Sequence, residues 1–206
     1  MHHADALVVT VPATPAARLL APLSPDAARE LEEIAYASTA IVSLALPRHG
    51  LPKLLGSGLL VPPVDGRAVK AWTFTTNKWG WVADLAPDLF ILRASLGRIG
   101  EQTLLQRSDR DLVRLVLADL AEALRSQLPA PIDSHIQRWG GALPQYAVGH
   151  VDRVARIRTA VAKVPGLEVA GAAYGGVGIP ACIASGQLAA EAVLTHLRDN
   201  WTQTPE

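Results

Sequence analysis

Apolar and polar positions change period several times along this chain, and each change predicts a change of element. Ala6 to Val11, "ALVVTV", is an unbroken apolar, β-branched run stopped by Pro12, the pattern of a strand buried on both faces. Thr14-Pro15 then predicts an N-cap with proline at the first helical position, opening "AARLL". Ser24-Pro25 repeats the signal for a helix to about Ile34, with Leu31 and Ile34 on one side. From Thr39 the runs become short and β-rich: "TAIVSLALP" (39–47), "GSGLLVPP" (56–63), "RAVKAWTFTT" (67–76) and "LFILRASLG" (89–97). They predict an antiparallel meander. Arg67, Lys70 and Arg93 among them fit the wet face of a half-buried sheet.

Ser108-Asp109-Arg110-Asp111 resembles a capping box before an amphipathic helix, in which Leu112, Leu115, Val116, Asp119, Leu120 and Leu124 recur at spacings of three and four. "PIDSHIQRW" (131–139) returns to strand until Gly140-Gly141 breaks it. "HVDRVARIRTAVAKV" (150–164) predicts a helix with Val151, Val154, Ile157 and Val161 inward and its arginines outward. Residues 166–193, "GLEVAGAAYGGVGIPACIASGQLAAEAV", predict strand, glycine turn and helix. The first strand and the last strand–helix pair have the character of a parallel α/β sheet, and the middle that of an α+β layer. The fold class expected is therefore α/β plus α+β, from a chain that leaves one domain, builds a second and returns.

Composition narrows the function. Half of the 206 residues are hydrophobic and 18% are charged, which indicates a globular chain. Its 19 basic and 19 acidic residues balance, and no Lys/Arg block of five occurs, so nucleic acid is not an expected partner. The lone cysteine, Cys182, cannot form an internal disulfide and fits a reducing compartment. Met1-His2-His3-Ala4-Asp5 has no signal-peptide pattern, and His2 with His3 makes no metal argument. Val169 to Ala190 carries no charge, but its Gly-Gly, Pro180, Ser185 and Gln187 favour a turn and helix over a transmembrane span. The expected location is the cytoplasm, free or resting on a membrane surface.

Catalytic constellations are scarce. H-E-x-x-H, C-x-x-C, G-x-S-x-G and Walker patterns are missing, and His135, His150 and His196 lie far apart in different elements, so no metal is expected. Cys182 sits near a helix start, where a dipole lowers a thiol pKa, but Ala181 and Ile183 beside it suit a plain buried cysteine better. What stands out is the turn at 175–180. Gly176, Gly178 and Ala181 formally satisfy G-x-G-x-x-[GA], yet the second strand and acidic residue of a dinucleotide site do not follow, and Glu191 lies within the helix. Gly175, Gly176 and Gly178 let the backbone approach a flat ligand, and the following helix offers unpaired N–H groups to a phosphate or to a reduced ring. Pro180 fits the first helical turn, where its missing N–H costs nothing.

The same stretch, with "RWGGALPQYAVGH" (138–150), closely resembles the C-terminal part of the FAD-dependent protoporphyrinogen/coproporphyrinogen oxidases of the amine-oxidase-like flavoprotein superfamily. L-P-Q-Y-x-x-G-H followed by G-x-G-I-P-x-C-I-x-S-G carries the resemblance, and "GSGLLVPP", "VKAWTFTTNKW" and "LLQRSDRDLV" extend it over essentially the whole chain. It implies an incomplete FAD-binding, glutathione-reductase-like domain with an inserted antiparallel-sheet substrate domain. Residues 1–22 would re-enter the FAD domain, 23–131 would form the substrate domain, and 132–206 would close the FAD domain. The family's N-terminal β-α-β would lie before this chain. The resemblance places Gly176, Val177, Gly178 and Ile179 against the flavin and Trp139 near it. Lys70, Lys78 and Arg93 become the candidates for porphyrinogen propionates.

The implied reaction removes six electrons from a porphyrinogen into noncovalent FAD, which O2 reoxidises, so the cofactor carries the hard step and no catalytic residue is assigned. Ala172 and Ala173 stand where many relatives have an acid after the last strand's "AG", so the resemblance does not carry that ribitol contact over to this chain. Activity of these residues by themselves is not expected, and a homodimer through exposed strands of the FAD domain is. The alternatives are an amine oxidase or carotenoid desaturase of the same superfamily, or a non-catalytic porphyrin- or partner-binding fragment.

Overall fold

A computed structural model describes residues 3–201; His2 lies outside the described residues. In chain order the elements are β1 (Leu7–Val9), α1 (Ala13–Leu20), α2 (Pro25–Glu32), β2 (Tyr36–Pro47), β3 (Gly58–Leu60), β4 (Val69–Thr73), α3 (Thr75–Lys78) and α4 (Gly80–Leu85). There follow β5 (Leu89–Leu96), α5 (Asp109–Leu124), β6 (Asp133–Pro144), α6 (His150–Val161), β7 (Leu167–Val169) and α7 (Ile179–Trp201). They form two compact units. Unit 1 is residues 1–36 with 143–206, and unit 2 is residues 37–142.

In unit 1, β1 and β7 pair in parallel, Leu7 with Leu167 and Val9 with Val169, as a two-stranded sheet. Its core joins Val9, Leu20, Leu31, Ile157, Leu167 and Tyr174. α2 belongs to this core through Ala27, Ala28 and Leu31, whereas the sequence reading grouped it with the middle segment. β1 is not buried on both faces as its composition suggested, since Leu7 is 51% exposed while Val9 is buried. α1 starts at Ala13 with Pro12 as N-cap, so Pro15 falls inside the first turn; the Ala13 N–H donates to the Tyr36 hydroxyl at 2.9 Å. Ser24 does stand before α2, but its Oγ donates to the Ala160 carbonyl at 3.2 Å and ties α2 to α6 rather than capping. On α6, Val154, Ile157 and Val161 point inward as expected, and Val151 is exposed.

Glu30 of α2 faces Arg156 and Arg153 of α6, at 2.6 and 3.3 Å. The Arg156 hydrogen bond, foremost, holds the Glu30 carboxyl below the usual range. A folded value lower than the unfolded one, about 4.3, stabilises the fold above that pH, and the contribution is lost as pH falls through the folded value. Glu30→Gln is expected to lower the urea midpoint slightly at pH 7, with the deficit shrinking as pH falls below the unfolded value. A deficit that does not change with pH would mean packing, not charge, is what Glu30 supplies.

Unit 2 is a five-stranded sheet in the order β3-β4-β5-β2-β6, so the expected meander holds for β3 to β5 only, and β2 sits beside β5 rather than β3. β3 to β4, β4 to β5 and β5 to β2 are antiparallel. Alternation along β2 and β5 puts Val42, Leu44, Leu46, Leu92, Ala94 and Leu96 on one face. α5 covers that face with Leu112, Val116 and Leu120, one turn apart. Each such side chain contributes about 1.5–3 kcal/mol of burial. Ser108 caps α5 by accepting the Asp111 N–H at 3.2 Å, the arrangement its sequence predicts. Asp119, polar within the apolar stripe, accepts the Val69 N–H at 3.0 Å where β4 bulges against β5. β6 runs through Gly140-Gly141 instead of breaking there, because Gly141 takes a φ of +55° and donates its N–H to Ser38 Oγ. α3 and α4, absent from the sequence reading, follow β4 directly.

Candidate flavin and substrate site

The turn after β7 is built around two backbone conformations that favour glycine. Gly171 (φ +128°) donates its N–H to Ser185 Oγ at 3.1 Å; Ser185 is buried on α7. Gly176 (φ +142°) could not carry a side chain, since a Cβ there would lie 2.7 Å from that of Ala181. Between them Ala173 and Tyr174 are buried in the core, and burial pushes the Tyr174 hydroxyl up to about 12. After Gly176 the chain turns outward, leaving Val177, Gly178 and Ile179 exposed. Gly178 has no positive φ, and its nearest contact for a Cβ is Pro180 Cδ at 3.8 Å, so the backbone strain of the turn lies at Gly176.

α7 opens with the Cys182 N–H donating to the Gly178 carbonyl at 3.0 Å, which leaves the N–H groups before it without intrahelical partners. Cys182 is half-buried, not fully buried, and its thiol donates to the Gly176 carbonyl at 3.7 Å. Bare backbone, a helix N-terminus and two apolar side chains thus face outward together. A flat, anionic ring system suits such a surface.

A tyrosine absent from the sequence candidates holds this turn. Tyr146 Oη donates to the Ala172 carbonyl at 2.5 Å and accepts the Gly176 N–H at 2.8 Å. Burial, foremost, raises its pKa above the ordinary tyrosine value. Its ring stacks on the buried His150 imidazole, with centroids 4.0 Å apart and planes 13° from parallel. Tyr146, His150 and Ser185 all lie within the motifs that carried the resemblance. Their spacing shows neither a stack nor a hydroxyl reaching a loop thirty residues away.

The other candidates lie in unit 2, so the structure groups them separately from the turn. Arg93 is exposed on the sheet face opposite α5, beside the short partners Ser43 and Thr73. Trp139, 54% exposed, is on that same open face. Its neighbour Arg138 points the other way and donates to the Leu105 and Arg107 carbonyls. Lys70 reaches the Gly97 carbonyl at 2.6 Å; burial and then the Arg98 charge lower its pKa. Lys78 is exposed at the end of α3, 5.4 Å above the Trp79 ring. Among the described residues no three metal-binding side chains converge, and no helix is long and apolar enough to cross a membrane.

The sequence profile of the family described as flavin containing amine oxidoreductase matches residues 1–194. The chain belongs to that family. It is 37% identical over 191 residues to a coproporphyrinogen III oxidase of Mycobacterium leprae, covering 92% of this chain and 40% of the relative. The coproporphyrinogen III oxidase of Bacillus subtilis is 34% identical, over 94% of this chain and 41% of its own length. An Exiguobacterium crystal structure, provisionally described as a protoporphyrinogen oxidase, superposes with a TM-score of 0.78 at 34% identity, over 97% of this chain and 42% of that one. Cyclohexylamine oxidase of Brevibacterium oxydans, 17% identical with a TM-score of 0.68 over 95% of this chain and 44% of its own, shares the fold. The chain spans about two fifths of the length of the curated relatives it matches.

Proposed function

We propose that this chain is part of an FAD-dependent, oxygen-dependent oxidase that converts coproporphyrinogen III or protoporphyrinogen IX to the porphyrin, a step of heme biosynthesis in the cytoplasm. The observation that carries the reading is identity of 34–37% to coproporphyrinogen III oxidases across more than nine tenths of the chain. The exposed turn fits a noncovalent flavin, because Gly178 has room beside it and the helix end behind it favours negative charge. Gly176, Val177, Gly178 and Ile179 would hold the ring. The flavin supplies a hydride acceptor, so the protein's part is to bind, orient and exclude water.

Unit 2 suits a planar substrate. Its open face carries short side chains around Arg93, whose guanidinium has no partner among the described residues and suits a propionate. Lys78 is a second candidate, and Lys70 a third that would first have to leave the Gly97 carbonyl. The same reading assigns unit 1 to flavin binding and unit 2 to the substrate, with the borders of the two units in place of the 22 and 131 expected from the sequence. By themselves these residues would pair with a second copy through uncovered strand edges of unit 1.

The test is a titration of the chain with coproporphyrin III, followed by porphyrin fluorescence. Arg93→Ala is expected to weaken binding about tenfold, the cost of losing a charge-assisted pair. Coproporphyrinogen supplied with FAD and air should turn over far more slowly than on full-length relatives, since the chain spans about two fifths of their length. Porphyrin that binds neither protein would refute the substrate assignment, and several turnovers per minute would refute the incomplete site.

A further inference from the structure

The glycine turn is fixed from outside its own strand–helix unit, and one side chain does most of it. Tyr146 spans the turn with a single hydroxyl that donates to the carbonyl of Ala172 and accepts from the amide of Gly176. Those two backbone groups flank Ala173 to Gly175, where the chain passes from core to surface. Gly176, at φ +142°, follows Gly175, and two glycines in succession have a wide choice of other conformations, so this amide is a place where a clamp acts effectively.

Tyr146 is itself held in place. Its ring lies flat on His150, the first residue of α6, which is 6% exposed. Gly149, at φ +84°, brings the chain sharply into that helix. His150 Nε2 is buried without a hydrogen-bond partner among the described residues. A buried ring nitrogen without a partner costs free energy, and the stack on Tyr146 is the contact of this ring that offsets it.

We infer that Tyr146, seated on the His150 ring, is the positioning residue that fixes the glycine turn in the conformation a ligand meets. Its purpose rests on the flavin reading above, and its physical claim does not. Phenylalanine at 146 would keep the stack and lose both hydrogen bonds, freeing Gly176. Alanine at 150 would keep the hydroxyl and lose its seat. Phenylalanine at 150 would restore the seat without a ring nitrogen.

Amide hydrogen exchange in the 206-residue chain, resolved by NMR, tests this without any ligand. In Tyr146→Phe the Gly176 amide is expected to exchange about three- to tenfold faster, while Val154 and Ile157 in the α6 core exchange as before. His150→Ala should show the same acceleration and His150→Phe should not. Unchanged exchange at Gly176 in Tyr146→Phe overturns the inference, as does acceleration shared by the whole of α6, which would indicate general loosening. FAD titrated into the same proteins provides a second readout. Weaker binding in Tyr146→Phe by a similar factor supports the positioning role, and equal affinity with a faster Gly176 amide overturns it. If the unsubstituted chain retains no FAD, the flavin reading fails, and the exchange result still decides whether Tyr146 fixes the turn.

Discussion

Gly176→Val should destabilise the protein by roughly 2–4 kcal/mol, while Gly178→Val, two residues on, should cost under about 1 kcal/mol. The difference follows from backbone and space. Gly176 has a φ of +142°, which L side chains rarely adopt, and holding a branched residue there costs about 1–3 kcal/mol. A Cβ would also lie 2.7 Å from that of Ala181, fixed in the first turn of α7, which adds an overpacking cost of about 1–3 kcal/mol. Part of this is relieved as the turn shifts, which is why the sum is not taken in full. At Gly178 nothing lies closer than Pro180 Cδ at 3.8 Å.

The two variants therefore separate stability from ligand approach. In Gly178→Val the urea midpoint should stay near that of the parent, while any flavin held at the turn is pushed away and lost on gel filtration. Gly176→Val should lose midpoint and flavin together. Equal midpoints for the two variants would show that the turn relaxes freely, and the strain argument would have to be abandoned.

How much of this could be read in the sequence depends on whether the deciding contact is local. The α5 stripe and its Ser108 cap were legible because both are set by residues three or four apart. The antiparallel strands were legible because alternation exposes one face and buries the other, as β2 and β5 do, but their order was not, since β2 lies between β5 and β6 instead of beside β3. Helices α3 and α4 were not. Their "TTNKWGWVADL" is short and carries β-prone residues, and they stand where the chain leaves β4, with Thr76 accepting the Ile91 N–H of β5 at 2.8 Å. The break expected at Gly140-Gly141 failed for a similar reason. Partners across the sheet, such as Ser38, hold the strand together through residues that have no strand preference of their own.

At the site, three glycines after a strand pointed to the turn, yet which one needs to be glycine was decided by Ala181, five residues further on, and by the local φ. Tyr146, His150 and Ser185 were in view as letters of a motif. Their roles depend on contacts made after β7 and α6 have folded, and no local pattern encodes them. Arg93 shows the opposite case. Its place on an open face follows directly from alternation with Leu92 and Ala94.

The 206 residues by themselves should self-associate, and their melting temperature should rise with protein concentration. Among the described residues β1 and β7 each have one hydrogen-bonded neighbour, so the far edge of each strand carries N–H and C=O groups without a strand partner. On α7, Ile179, Ile183, Ala190 and Leu194 fall along one side of the helix, and all are exposed. An uncharged strip of that kind beside open strand edges is the sort of surface that a soluble protein covers. Two copies related by a two-fold axis can cover it mutually, by strand pairing or by packing α7 on α7. Association that stabilises the folded state makes the transition concentration-dependent, by mass action. Ile183→Lys, at a position 57% exposed and outside the core, should weaken association without lowering the melting temperature of the dilute protein. Light scattering over a dilution series, with melts at each concentration, decides the matter. A monomer at every concentration with one unchanging melting temperature would mean that unit 1 is stable with its edges and helix face open to water.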